Sequence, residues 1–362
     1  MRLPVIDGKP DNIDLNTLSQ MVDLYLERGF TYFDTSYVYH NGASETAIRE
    51  ALVKRHDRRD FLLASKFPTF IRPAEDQVEN IFQEQLDKCG VEYFDYYLLH
   101  NLNREIYATE VKDAHLFDHM KQWKEQGKIK HIAFSYHDDA AHLDEILTEH
   151  PEVEAVQIAL NYYDWEEPFM QAKKCYDVIR KHGAQVIVME PVKGGSLASM
   201  NNEIQGIMKA QNPELSIPSW AVRFCAGLDN ILTVLSGMST KAQLDDNVSY
   251  MEHFEPLSDK EHEVLKTVVE KLNAIPTIPC TGCRYCVDDC PMQIHIPDIF
   301  RAVNHQKQFG SEGNVDRSGY ESATREGGKA SECLHCGSCE AHCPQHIHII
   351  EELEDAAKRF EG

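Results

Sequence analysis

KHIAFS (residues 130–135), AVQIALN (155–161) and QVIVMEP (185–191) are three short, almost continuous apolar runs, separated by the longer amphipathic stretches 141–149 and 169–181. Runs of this kind suit strands buried on both faces, and the helical periodicity between them suits helices that cover the sheet. The alternation continues outward in both directions. Short β-branched or aromatic runs occur at 31–36, 61–67, 93–100 and 231–237, with amphipathic stretches at 16–28, 45–55, 75–88, 111–126, 219–226 and 241–253. Ser44 stands where a helix cap is expected, before Glu45. Repeated βα units predict a parallel sheet covered by helices, and at about 250 residues a closed α/β TIM (β/α)8 barrel is favoured over an open sheet. Seven strands are visible. The eighth would precede the helix at 16–28, where only Met1-Arg2-Leu3-Pro4 remain to form it. The first strand thus reads as truncated: either the chain begins inside it or the barrel closes imperfectly.

Of 362 residues, 42% are hydrophobic and 26% charged, which places the chain among packed globular proteins. Lys and Arg total 36 against 59 Asp and Glu, a formal net charge of −23, and such a surface repels phosphate backbones and anionic membranes. The basic run Lys54-Arg-His-Asp-Arg-Arg59 is interrupted by acid and reads as a solvated helix end. No apolar stretch approaches the roughly 18 residues that span a bilayer, and the opening residues lack a signal-peptide core. The expectation is a cytoplasmic protein that binds neither nucleic acid nor membrane.

Eleven cysteines are present, and eight fall between Cys280 and Cys343. That asymmetry divides the chain into a barrel at 1–258, a helical connector at 259–275 and a small domain at 276–362. The glycine- and serine-rich segment 310–328 reads as an irregular loop, and 349–360 as an amphipathic helix. Cys280-Thr-Gly-Cys283-Arg-Tyr-Cys286-Val-Asp-Asp-Cys290-Pro291 has the spacing C-x2-C-x2-C-x3-C-P, and Cys333-Leu-His-Cys336-Gly-Ser-Cys339-Glu-Ala-His-Cys343-Pro344 repeats it. In two-cluster ferredoxins the cysteine before proline ligates the other cluster. Cys280, Cys283, Cys286 and Cys343 are therefore assigned to one [4Fe–4S] cluster, and Cys333, Cys336, Cys339 and Cys290 to a second. A pair of zinc sites is the competing reading, but zinc explains neither the third and fourth cysteines nor the duplicated Cys-Pro. Cys89, Cys175 and Cys225 read as inert core thiols.

Catalytic groups of such barrels gather at the carboxyl ends of the strands. Asp34, Lys66 and His100 end three of the strands, and Tyr39 follows Asp34 by five residues. Together they suit protonation of a carbonyl oxygen that receives hydride. Tyr39 is the acid, the Lys66 ammonium stabilises the phenolate left behind, Asp34 holds the lysine, and His100 donates to the oxygen. Taken singly, each has an ordinary structural reading as a cap, a hydrogen-bonder, a surface charge or an aromatic plug.

FDTSYVYHNGASE (33–45), ASKF (64–67) and YYLLH (96–100) resemble three signature stretches of the aldo-keto reductase superfamily. With the paired cysteine motifs, the chain resembles the subgroup that fuses this barrel to a dicluster ferredoxin-like domain. The resemblance implies a catalytic tetrad of Asp34, Tyr39, Lys66 and His100. It also implies a nicotinamide cofactor held without a Rossmann fingerprint, with NADH or NADPH undecided. Ser135 and Gln157 match the positions that hold the carboxamide, Met189 replaces the stacking aromatic, and Tyr136 stands where the family has Asn. Gly194, Gly195, Ser196 and Leu197 match the loop near the pyrophosphate. Gly237, Gln243 and Asn247 match the adenosine end, where Gly237 and Gln243 lack the basic groups that read a 2′-phosphate; Lys241 is the nearby substitute.

The reading that follows is an NAD(P)H-dependent oxidoreductase acting on a small carbonyl or alcohol, with a ferredoxin or flavoprotein as redox partner of the clusters. The alternative is an iron–sulfur electron-transfer module whose barrel binds a ligand or partner without nicotinamide turnover. Hydride moves electrons in pairs and clusters accept them singly, so direct coupling would need a splitter such as a flavin, which no motif here supplies.

Overall fold

The computed structural model describes residues 2–168, 170–288, 290–310 and 317–362. Two compact units emerge, one of Met1–Gly194 with Pro218–Leu257, the other of Gly195–Ile217 with Ser258–Gly362. The excursion 195–217, which the division at 258 placed with the barrel, groups with the second unit.

In the first unit seven parallel strands hydrogen-bond in chain order: β1 (Tyr32–Asp34), β2 (Leu62–Phe67), β3 (Phe94–Leu102), β4 (Ile129–Tyr136), β5 (Ala155–Ala159), β6 (Gln185–Met189) and β7 (Ile231–Val234). Helices follow the strands, as crossovers between parallel neighbours require. Tyr32 of β1 and Leu232 of β7 pack on one cluster with Ala64, Tyr96, Leu98, Ala133, Ala155 and Ile187, so the inner faces of both end strands meet on a common interior. That interior combines small alanines with large tyrosines, and Ala64 is registered against Tyr96. Outside it, Trp123 stacks on Phe82 with ring centroids 3.9 Å apart, and Tyr97 and Phe94 complete the layer.

The expected first strand is replaced. Residues 2–14 turn back on themselves through the antiparallel bridge Val5↔Ile13 and the bond from Ile6 N–H to the Asn12 carbonyl, 2.8 Å. Asp14 then caps the helix Leu15–Glu27 by accepting from the Asn16 and Thr17 amides, and Leu18, Met21 and Val22 form its buried stripe. Ser44 does not cap. Its Oγ lies 2.8 Å from Thr35 Oγ1, and the helix Ser44–Ile48 starts after Ala43 without a side-chain cap. The basic run after it is spent on ion pairs, with Lys54 to Glu50, Arg55 to Asp23, Arg58 to Asp95 and Arg59 to Asp57.

The second unit holds the helices Asn202–Gln211, which the sequence reading left out, and Asp259–Ala274; Lys271 pairs with Glu203 across them at 2.5 Å. Its core joins Ile278, Ile294, Ile296, Phe300, Val303, Leu353 and Phe360. Segment 310–328 is more ordered than expected where it is described. Ser318–Ala323 is helical because Tyr320 is buried and stacks on Phe360 at 4.8 Å and 12°; residues 311–316 lie outside the described residues.

The two cysteine segments repeat one backbone path. Positive φ occurs at Gly282 and Arg284 in the first and at the equivalent His335 and Gly337 in the second, 71° and 66° against 54° and 77°. Gln293 and His346, each three residues past the cysteine before proline, match again at 51° and 53°. Each path then enters a helix through an Ile-His-Ile sequence, into Ile296–Phe309 or Ile349–Phe360. Left-handed residues turn each loop tightly enough to aim its cysteines inward. Among the described residues no helix is long and apolar enough to cross a membrane.

Candidate active site and cluster-binding residues

Parallel strands of a barrel present their carboxyl ends at one rim, and β1, β2 and β3 bring Asp34, Lys66 and His100 there. Lys66 is fully buried, and its Nζ donates to both Asp34 carboxylate oxygens at 2.7 and 2.6 Å and to the Thr35 carbonyl at 2.9 Å. Burial works against the ammonium, but the Asp34 carboxylate and Tyr39 more than offset it and hold the lysine above its ordinary range. Burying a lysine this deeply is costly, and a fold gains little stability from such a pair.

Tyr39 lies over that ammonium, with its ring centroid 4.8 Å from Nζ. The sequence led us to expect a phenol made more acidic by the lysine. Burial outweighs the ammonium, and the phenol sits above its usual value of 10. Tyr39 is therefore firmly protonated at neutral pH, which suits a proton donor. The next two residues, His40 and Asn41, both have φ of 54°, and the chain holds this strained turn through His40. His40 Nε2 accepts the Leu3 amide at 3.0 Å, and its Nδ1 lies 2.5 Å from the Pro10 carbonyl.

His100 meets the Tyr39 ring edge-on at 5.7 Å, and Phe70, exposed, also packs against it at 5.4 Å. Burial first, then Lys66 and His137, lower the imidazole to about 3, so it is neutral at physiological pH. Its Nδ1 lies 3.2 Å from the Ser36 hydroxyl, and Thr69 Oγ1 donates to its carbonyl. All four tetrad residues thus share one rim. Ser36, His40 and Phe70 were not singled out in sequence, because only folding brings them against the tetrad.

On β4 and β5, Ser135 and Gln157 are registered neighbours and both are buried. Ser135 Oγ accepts the Asn101 amide at 2.7 Å. Gln157 Nε2 is 3.3 Å from the Met189 sulfur, while its Oε1 is buried without a partner among the described residues. A buried acceptor left open is rare in a folded protein, and an amide N–H2 donor such as a carboxamide would satisfy it. These residues fit a nicotinamide.

The remaining cofactor positions divide. Gly194 belongs to the barrel unit, whereas Gly195, Ser196 and Leu197 belong to the second, where Ser196 Oγ is 2.6 Å from His305 Nε2 and Leu197 is fully buried. Gln243 is engaged as a helix cap, its Oε1 accepting the Ser239 and Thr240 amides at 2.8 and 3.2 Å. Asn247 Nδ2 donates to Ser236 Oγ at 2.8 Å. Lys241 is tied to Asp245 at 2.7 Å. Gly237 is covered by Arg2, whose aliphatic stem lies over it so closely that a Cβ there would come within 3.1 Å. Its guanidinium donates to the Gly194 carbonyl at 3.0 Å. Sequence gives no signal for this, since residues 2 and 237 meet only in the fold.

In the second unit the eight thiols line two spaces, four to each. Cys280, Cys283, Cys286 and Cys343 line one, and Cys290, Cys333, Cys336 and Cys339 the other. The cysteine before each proline faces the opposite triplet, as the cross-ligation rule requires. Among the described residues no three His, Cys, Asp or Glu side chains converge closely enough to hold a single ion. Four thiols around each space, three from one motif and the fourth from the other, suit a pair of cubanes rather than single zinc ions.

The Aldo/keto reductase family profile matches residues 6–270, and a 4Fe-4S dicluster domain profile matches 279–348. This chain belongs to the aldo/keto reductase family. An oxidoreductase of Bacillus subtilis, YqkF, is 20% identical over 263 residues, 64% of this chain and 81% of that protein. A probable aldo-keto reductase of Glycine max is 30% identical over a shorter stretch, 30% of this chain and 32% of that protein. In structure, the holo form of a Bacillus halodurans aldo-keto reductase aligns with a TM-score of 0.57 at 19% identity, covering 74% of this chain and 91% of that one. A Klebsiella pneumoniae aldo-keto reductase in complex with NADPH aligns at 0.60 and 15%, covering 74% and 90%. The chain is thus an aldo/keto reductase-family barrel of seven described strands with a C-terminal 4Fe-4S dicluster domain.

Proposed function

We propose that the protein reversibly reduces a small carbonyl compound with a reduced nicotinamide dinucleotide, Tyr39 acting as general acid. The convergence of Asp34, Tyr39, Lys66 and His100 on one rim beside the open Gln157 acceptor carries this reading. Ser135 and Gln157 would hold a nicotinamide there, and that group would supply the hydride for the carbonyl carbon. Tyr39 gives its proton to the oxygen as negative charge grows on it, and the Lys66 ammonium stabilises the phenolate that remains. Asp34 fixes that ammonium, and His100, neutral, offers a hydrogen bond to the same oxygen. In the reverse direction the phenolate takes the alcohol proton.

A ferredoxin or flavoprotein that exchanges single electrons with the clusters belongs to the same proposal. An electron-transfer module without nicotinamide turnover would leave the fully buried Lys66 and its ion pair without a role.

Coenzyme titration tests the reading. NADPH and NADH are each titrated into anaerobic holoprotein while tryptophan fluorescence is followed, with Arg2→Ala alongside. Because Arg2 lies over Gly237 and brings a guanidinium to that end of the site, wild type should bind NADPH at least about tenfold more tightly than NADH, and Arg2→Ala should erase most of that difference. Failure of wild type to bind either coenzyme would overturn the reductase reading.

A further inference from the structure

We infer that Ser36 is a positioning residue that sets the tautomer of His100, so that the imidazole presents N–H rather than a lone pair to the reacting oxygen. The inference deepens the reductase reading and rests on it. Ser36 is completely buried, and its hydroxyl has one partner among the described residues, His100 Nδ1 at 3.2 Å. The ring packs against both Tyr39 and Phe70, with Lys66 and His137 as the nearby cationic or titratable groups, and it is neutral.

A neutral imidazole carries one proton, on either nitrogen. If Nδ1–H donated to Ser36, the serine O–H would be buried with no acceptor. If instead Ser36 O–H donates to Nδ1, the serine donor and the Nδ1 lone pair are both satisfied and the ring proton lies on Nε2. A buried unpaired donor is the costlier outcome, so the second arrangement wins. Nε2 is then the nitrogen left to the site, and as a donor it stabilises an oxygen that gains negative charge. The opposite tautomer would aim a lone pair at that oxygen and raise the barrier.

Consecutive residues therefore address different members of the tetrad. Asp34 and the Thr35 carbonyl hold Lys66, Ser36 orients the proton on His100, and the same segment ends at Tyr39.

The test is nitrogen NMR of holoprotein labelled in histidine, with the His100 signals assigned by their loss in His100→Asn, together with steady-state kinetics on Ser36→Ala. Wild type should show the Nε2–H form, and Ser36→Ala should move toward the Nδ1–H form. The variant's kcat for carbonyl reduction should fall about ten- to a hundredfold, with KM for the carbonyl and coenzyme affinity within about threefold of wild type. An Nδ1–H tautomer in wild type, or an unchanged tautomer in Ser36→Ala, overturns the inference without touching the reductase reading. If wild type instead binds coenzyme but reduces no carbonyl, the reading falls, and the role given to Ser36 falls with it.

Discussion

Replacing Tyr39 by Phe should reduce carbonyl turnover by at least about a thousandfold while leaving the visible spectrum of the clusters and the affinity for coenzyme unchanged. The phenyl ring keeps the edge-on contact with His100 and the face above Lys66, so packing survives and only the proton is lost. The pH dependence follows from the same geometry. Burial raises the phenol above 10 despite the ammonium beside it. The protonated form needed for reduction therefore persists through neutral and mildly alkaline pH, and kcat for reduction should show no basic limb below pH 10. Alcohol oxidation, which needs the phenolate, should rise over that range. Steady-state assays in both directions check this, and a reduction limb near pH 7 would assign the proton to another group.

The second large effect concerns the clusters. Cys343 lies in the second cysteine motif but lines the space of Cys280, Cys283 and Cys286. Cys343→Ala should therefore damage the cluster of the first motif, lowering bound iron and sulfide by about half and matching the electron paramagnetic resonance change of Cys283→Ala. Cys290→Ala should match Cys336→Ala in the same way, because Cys290 lines the other space. Were ligation confined within each motif, Cys343→Ala would match Cys336→Ala instead. A domain this small has a modest core, so losing a cluster should also lower its unfolding temperature.

The seven strands and the two cysteine loops were legible because their signals are local. Apolar runs bounded by turns mark buried strands, and cysteine spacing marks a loop that wraps a cluster. Helix Asn202–Gln211 escaped notice because it buries only Ile204 and Met208, too few to stand out as a stripe. Ser44 looked like a cap, but its hydroxyl is taken by Thr35, a partner nine residues away. For the site, Asp34, Tyr39, Lys66 and His100 could be picked from strand ends, whereas Arg2 above Gly237 and Ser36 against His100 depend on contacts made only in the fold. The acidity of Tyr39 needed the balance of burial against charge, and in sequence only the charge was visible.

The most direct measurement follows the hydride. Anaerobic holoprotein is given NADPH deuterated at the transferable position and a panel of small aldehydes and ketones, and the products are examined by mass spectrometry and proton NMR. The account predicts one deuterium on the carbinol carbon of each alcohol formed, in a single configuration, and no labelled product with Tyr39→Phe. Oxidation of NADPH that leaves the carbinol carbon unlabelled, or labelled product formed equally well by Tyr39→Phe, would contradict it.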